Sequence, residues 1–309
     1  MLSIWLFTDG KRGHENQSFG LAEALARLTE CRIETLPVTQ GWPYLFNWLI
    51  GRFPEGTNLP KPDLILGTGH ATHWPMLAAR RAHGGKIAVL MKPSLPLAWF
   101  DWVIAPEHDF PNKNHLPSTK ARSKILRTTG PLNRIQPSAN KFDQAGLMLI
   151  GGASKEFGWS ETGLLKQIHL IALHHSNIHW QLSTSRRTPA GFLRNLARLN
   201  LANLKTIAHD AVPPNWLPTQ LAHAAQVWVT PDSASMVYEA LSSGASVGCF
   251  DLPFAKPGRV ARGLEKLLNE KRLSRYGDWQ ATGSLLPNPT PLNEAERCAK
   301  ELLPCLNKN

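Results

Sequence analysis

The stretch from Gln226 to Phe250, Gln-Val-Trp-Val-Thr-Pro-Asp-Ser-Ala-Ser-Met-Val-Tyr-Glu-Ala-Leu-Ser-Ser-Gly-Ala-Ser-Val-Gly-Cys-Phe, constrains the fold more than any other. Val227, Trp228 and Val229 form a β-prone run that Thr230-Pro231-Asp232 breaks. Ser233 and Ser235 stand where a hydroxyl accepts from the free N–H groups of a first helical turn. Met236, Val237, Ala240 and Leu241 recur at helical spacing, Gly244 stops the helix, and Val247 to Phe250 begins another strand. Strand, helix and returning strand commit this part of the chain to an α/β architecture with a parallel sheet.

A helix start facing the carboxyl end of a strand is an anion site, because unbonded N–H groups converge there and the helix dipole favours negative charge. Ser233 and Ser235 add hydroxyl donors for phosphate oxygens, and Glu239, one turn beyond Ser235, can accept from two vicinal hydroxyls such as those of a ribose. The same pattern also fits an ordinary βαβ unit whose serines only cap and whose Glu239 is solvated.

The remainder of the chain repeats the plan. Ser3–Phe7 reads as a strand, followed by the polar loop Thr8-Asp-Gly-Lys-Arg-Gly-His-Glu-Asn-Gln17 and a helix carrying Leu21, Ala24, Leu25 and Leu28. In open α/β sheets such a loop lies where ligands bind. His14 is the candidate general base, because histidine is the residue type suited to proton transfer near neutral pH, with Asp9 orienting or replacing it. The alternative is that Asp9 and Asn16 organise the turn and His14 is solvated. Further strands are expected at Asp63–Gly69, ending in a Gly turn, Lys86–Met91, Trp102–Ala105 and Lys124–Thr128, with His70 just after the first of these and Lys92 after the second. Asn133–Asp143 reads as a linker, after which Leu147–Ile150, the turn Gly151-Gly-Ala-Ser-Lys155 and a helix over 160–175 restart the pattern. Backbone N–H groups of Gly151 and Gly152, with Ser154, suit a phosphate cradle. Strand His179–Thr184 leads into Ser185-Arg-Arg-Thr-Pro189, where Arg186 and Arg187 offer planar donor forks for a diphosphate or, alternatively, surface ion pairs. Three segments are thus expected: residues 1–132, 143–290, and a final helical segment 291–309.

Composition narrows the chemistry. At 309 residues with 42% apolar and 18% charged residues, the chain suits two globular domains. No apolar run approaches the roughly 20 residues of a membrane span, and Met1–Phe7 has no basic leader. Cys31, Cys249, Cys298 and Cys305 show no paired spacing, which suits reduced thiols in the cytoplasm. A net charge of +11 favours acidic partners, but without a nucleic-acid signature; a phosphorylated substrate or an anionic membrane ranks above nucleic acid. The aromatic stretch 41–53, with Tyr44, Leu45, Trp48 and Leu49 on one helical face, reads as a helix packed on the sheet or as one lying on a membrane surface. There is no DxD motif, and neither metal nor cofactor is expected.

The Asp232–Val247 pattern resembles the nucleotide-sugar donor motif of GT-B glycosyltransferases. Together with Thr8–Gln17 and Thr184–Pro189, it makes the whole chain resemble bacterial members of the elongated-mitochondria (mitochondrial-fission) family. The resemblance implies two Rossmann-like domains facing a central cleft, and transfer of a sugar from a nucleotide sugar to an envelope acceptor of lipopolysaccharide type. By that resemblance Ser233 and Ser235 hold diphosphate and Glu239 holds ribose, with Asp232 and Met236 beside them. Gly151, Gly152, Ser154, Arg186 and Arg187 complete the donor side. The acceptor side comprises Gly10, Lys11, Gly13, Asn16, Gln17 and Lys92, with His14 or Asp9 as base. Rival expectations are a UDP-sugar epimerase or hydrolase of the same fold, and a non-catalytic membrane adaptor.

Overall fold

A computed structural model describes residues 1–38, 43–110 and 124–306. The chain divides into two compact units: Met1–Arg134 with Asn293–Asn309, and Ile135–Leu292.

The first unit is built on β1 (Leu2–Thr8), α1 (Arg12–Leu28), β2 (Cys31–Pro37), α2 (Pro43–Ile50), β3 (Leu64–Thr68), α3 (His70–His83), β4 (Lys86–Leu90), β5 (Trp102–Pro106) and β6 (Lys124–Thr128). Its six strands are parallel in the order β2-β1-β3-β4-β5-β6. β1, β3 and β5 are buried along their whole length, as helices on both faces require, and so read as unbroken apolar runs.

The second unit contains β7 (Phe142–Leu149), α4 (Glu161–His174), β8 (His179–Ser183), α5 (Phe192–Ala197), β9 (Leu204–Ile207), α6 (Trp216–His223), β10 (Ala224–Val229), α7 (Ala234–Ser242), β11 (Ser246–Cys249), α8 (Arg259–Asn269), β12 (Ser274–Arg275) and α9 (Tyr276–Thr282). Its sheet runs β12-β11-β10-β7-β8-β9, also parallel. Glycines in two of these strands make room for indoles. A Cβ on Gly146 would stand 2.3 Å from the Trp180 ring, and one on Gly248 would stand 2.6 Å from that of Trp228.

α10 (Glu294–Leu306) returns to the first unit. Ala295, Cys298, Ala299, Leu302 and Leu306 form its buried stripe and join one core with Leu21, Ala22 and Leu25 of α1. The Glu294 carboxylate accepts from the Thr129 N–H at 2.9 Å, and Arg297 donates to the Arg127 carbonyl at 2.7 Å.

Two sequence expectations change. The linker read over 133–143 includes the first residues of β7, since Phe142 pairs with Ala224 of β10. The aromatic stretch packs chiefly on a helix: α2 lies on α3 through Trp48, whose ring lies 5.5 Å from those of Trp74 and Trp99, while Tyr44 and Trp48 also border the core that holds the strand residues Trp5, Phe7 and Ile65. Residues 41 and 42 of that stretch lie outside the described residues. Leu49, placed on the packed face from sequence, is 58% exposed.

Each sheet reverses its winding once, between β1 and β3 in the first unit and between β7 and β10 in the second. Doubly wound sheets bind ligands at that reversal, outside the carboxyl ends of the strands, because the loops there diverge to opposite faces. These two points position the candidate site residues.

Candidate functional site

In the first unit, Asp9 directly follows β1 and its side chain is only 3% exposed. Its Oδ2 lies 2.8 Å from His14 Nδ1, and its Oδ1 accepts from the Lys11 N–H at 3.2 Å. The carboxylate assigns the proton to His14 Nδ1, leaving Nε2 as the acceptor on a ring that is 22% exposed. Burial pushes the Asp9 carboxyl up, but its hydrogen bond to His14, the charge His14 carries when protonated and the nearby Lys11 outweigh this and hold it below the usual carboxylate range. Asp9 therefore stays ionised and orients His14, which matches the requirements of a base and its orienting group.

The β3 exit backs this pair. Gly69 has φ +91°, and a Cβ there would stand 2.6 Å from the His14 ring, so only glycine lets the imidazole approach. The next residue, His70, and buried His73 both reach the Ser94 hydroxyl, with Nδ1–Oγ distances of 3.3 and 3.4 Å. Burial, and secondarily the charge of His70, push His73 down to about 4, so it is neutral at physiological pH. Spacing did not point to this histidine–serine group, because Ser94 is more than twenty residues from its partners.

The acceptor-side candidates separate. Gly10 and Gly13 face open space. Lys11 is exposed beside Asp9. Gln17 is buried and turns back to donate to the Gly13 carbonyl at 3.3 Å. Asn16 is half-buried on α1. Lys92 is exposed, with Nζ 5.5 Å above the Phe110 ring.

In the second unit the candidates converge at the β7/β10 reversal, with corrections. The Gly151 and Gly152 amides do not form an open cradle: Gly151 N–H donates to Thr230 Oγ1 at 2.7 Å and Gly152 N–H to Asp232 Oδ2 at 3.1 Å. Ser154 Oγ is likewise engaged, accepting from the Phe157 and Glu156 amides at 3.0 and 3.2 Å. Arg187 is not a free donor fork; its Nη2 pairs with Asp232 Oδ2 at 2.6 Å. Asp232 is a buried tie joining the exits of β7, β8 and β10, not an open ligand group, and its Oδ1 has no hydrogen-bond partner among the described residues. Thr188 Oγ1 reinforces the tie by donating to the Ile150 and Gly151 carbonyls at 3.1 and 2.5 Å.

α7 begins on this knot. Ser233 is its N-cap residue, but its hydroxyl makes no capping bond, contrary to the sequence reading; Ser235 lies in the first turn and is exposed. The amides of Ala234, Ser235 and Met236 precede the first intrahelical bond, from Val237 N–H to the Ser233 carbonyl at 3.2 Å. Neither serine hydroxyl is hydrogen-bonded among the described residues. Met236 and Glu239 are half-buried on the same helix, and Arg186 is exposed at the β8 exit. A pocket of about 340 Å³ opens beside it, lined by Thr184, Ser185, Pro189, Arg194, His209 and Asp210. The β9 side of this pocket was missed in the sequence, where His209-Asp210 has no distinguishing pattern.

Among the described residues no three His, Cys, Asp or Glu side chains form a metal-binding group, and no helix is long and apolar enough to cross a membrane.

Among solved structures, MurG of Acinetobacter baumannii is 13% identical, with full coverage of both chains and a TM-score of 0.52. The UDP-GlcNAc 2-epimerase of Methanocaldococcus jannaschii is 14% identical over 98% of this chain and 99% of its own, with a TM-score of 0.58. These likenesses, with the two sheet orders, identify a GT-B fold. An uncharacterized protein of Rickettsia prowazekii is 26% identical over 97% of each chain. The family model described as mitochondrial fission ELM1 matches residues 12–306, and the chain belongs to that family.

Proposed function

We propose that the protein is a nucleotide-sugar enzyme, a glycosyltransferase whose second unit holds the donor and whose first unit activates the acceptor. The observation that carries this reading is the α7 start: three unbonded amides and two unbonded hydroxyls at the winding reversal, with Glu239 one turn on. Such a group neutralises a diphosphate without a metal, and it favours the leaving nucleoside diphosphate as its charge develops. Arg186 adds a cation that no acidic side chain among the described residues neutralises. Glu239 accepts from the ribose hydroxyls. On the acceptor, His14 Nε2 removes the proton of the attacking hydroxyl while Asp9 stabilises the imidazolium. The net charge of +11 suits an anionic acceptor, and we assign it to envelope molecules of the lipopolysaccharide type.

Calorimetry with UDP and UDP-GlcNAc tests the donor site. Glu239→Ala is expected to lose about tenfold or more in affinity while remaining folded, the size expected for a lost charge-assisted hydrogen bond. Equal binding by wild type and variant would end the ribose assignment. A UDP-sugar epimerase or hydrolase would use the same donor seat, and product analysis with and without acceptor separates the reactions.

We also propose that α2 rests on an anionic membrane surface. The helix carries no charged residue, and Phe46, Leu49 and Ile50 are 61%, 58% and 45% exposed. Trp48 is anchored beneath the Arg81 guanidinium, 5.8 Å from the ring centroid. Sedimentation with phosphatidylglycerol vesicles should carry the wild type down and leave a Phe46→Ser/Leu49→Ser variant in solution. Co-sedimentation of both would refute this surface; vesicle binding by a variant that no longer binds nucleotide would favour the adaptor reading.

A further inference from the structure

Two loops of the second unit come from strands that are not neighbours. The β7 exit and the β11 exit lie on either side of β10 in the sheet, yet they are bonded to one another. Gly158 N–H donates to the Pro253 carbonyl at 2.7 Å, and Ala255 N–H donates to the Glu156 carbonyl at 2.9 Å. Phe157 and Phe254 form an antiparallel bridge with their rings edge-to-face, 5.9 Å apart.

The Glu156 side chain completes the connection. Its Oε2 accepts from the Ala261 N–H at 2.8 Å and its Oε1 from the Val260 N–H at 3.4 Å, both in the first turn of α8. Gly258, the N-cap residue of α8, supplies no cap of its own. A carboxylate more than a hundred residues away therefore caps this helix, with the charge its dipole favours. The Ser154 hydroxyl fixes the Glu156 backbone from the other side.

We infer that Glu156 is a positioning residue. It binds residues 153–158 and 253–261 into one strap spanning the C-terminal end of β10, the end from which α7 departs. Exposed Lys256 rides on the strap and is held at that strand-end face. The two helix starts are thus used differently: α8 is filled from within the chain, while α7 remains open. What the strap serves rests on the donor reading proposed above; its existence as one unit rests on these bonds alone.

Amide hydrogen exchange on the full chain, with and without UDP as probe, tests both parts. Glu156→Ala should speed exchange at Val260 and Ala261, and also at Ala255 and Gly158, on the order of fivefold for a lost cap. Glu156→Gln, which keeps an accepting oxygen, should fall between variant and wild type. Acceleration confined to Val260 and Ala261 would reduce Glu156 to a cap and overturn the strap. UDP affinity should fall several-fold in Glu156→Ala and equally in Lys256→Ala, the latter with wild-type exchange. Wild-type UDP affinity in both variants would overturn the positioning role. If the wild type itself ignores UDP, the donor reading and the positioning role built on it fall together, while the exchange pattern still decides the strap.

Discussion

Two glycine-bearing loops occupy corresponding places, each following the first strand of its unit at or beside the winding reversal, and they do opposite things. Around Gly10 and Gly13 a Cβ would meet nothing within 4 Å, and the loop leaves the His14 ring partly exposed. At Gly151 a Cβ would stand 2.2 Å from the Asp232 carboxylate, and at Gly152 it would stand 2.1 Å from the Arg187 carbonyl. The first loop presents side chains. The second is a packed joint whose amides are already engaged, and the open donors are passed on to α7. Glycine near a strand end thus marks either an approach for ligand or an approach for another loop, and only the partners distinguish them.

Substitutions sharpen this contrast. Gly152→Ala forces a methyl group against backbone and should cost about 3 kcal/mol, the upper part of the range for overpacking, read as a lower urea midpoint. Tolerance of this change would dissolve the distinction between the loops.

Acid should act first on the histidine-built side. His73 is pushed down to about 4 from 6.5, so as pH falls below 6.5 the unfolded chain takes up the proton first. Stability is then lost between 6.5 and 4, by up to about 3 kcal/mol. The Asp9 contribution has the same sign in a lower window: its depressed carboxyl stabilises fully above about 3.8 and loses that contribution only as pH falls further. Melting temperatures from pH 7 to 4.5 should fall in the wild type and flatten in His73→Leu; parallel curves would refute the assignment.

In the second unit, Asp232→Asn weakens the acceptor shared by Gly152 and Arg187 and should cost about 2 kcal/mol in the same denaturation assay. The smallest effect is expected at Gly13→Ala, in open space within α1, which should be neutral or stabilise by up to about 1 kcal/mol.

Sequence carried the strands well because doubly covered parallel strands are continuous apolar runs, as in Leu64–Thr68. It missed β12, whose two residues have no periodicity, and α9 after it. Within the site, the Asp9–His14 pair was legible because its members lie five residues apart on one turn. The Arg187–Asp232 pair was not: those residues are 45 positions apart, and their pairing depends on β7 lying between β8 and β10. Composition likewise could not reveal that the Gly151 and Gly152 amides were already used, since that depends on Thr230 and Asp232 arriving from another strand.

The return of α10 to the first unit has a consequence for synthesis. The second unit is one continuous stretch, whereas the core of the first lacks Ala295, Cys298, Ala299, Leu302 and Leu306 until the last helix has emerged from the ribosome. The half translated later can therefore finish folding sooner, and the half translated first must wait with one side of α1 uncovered.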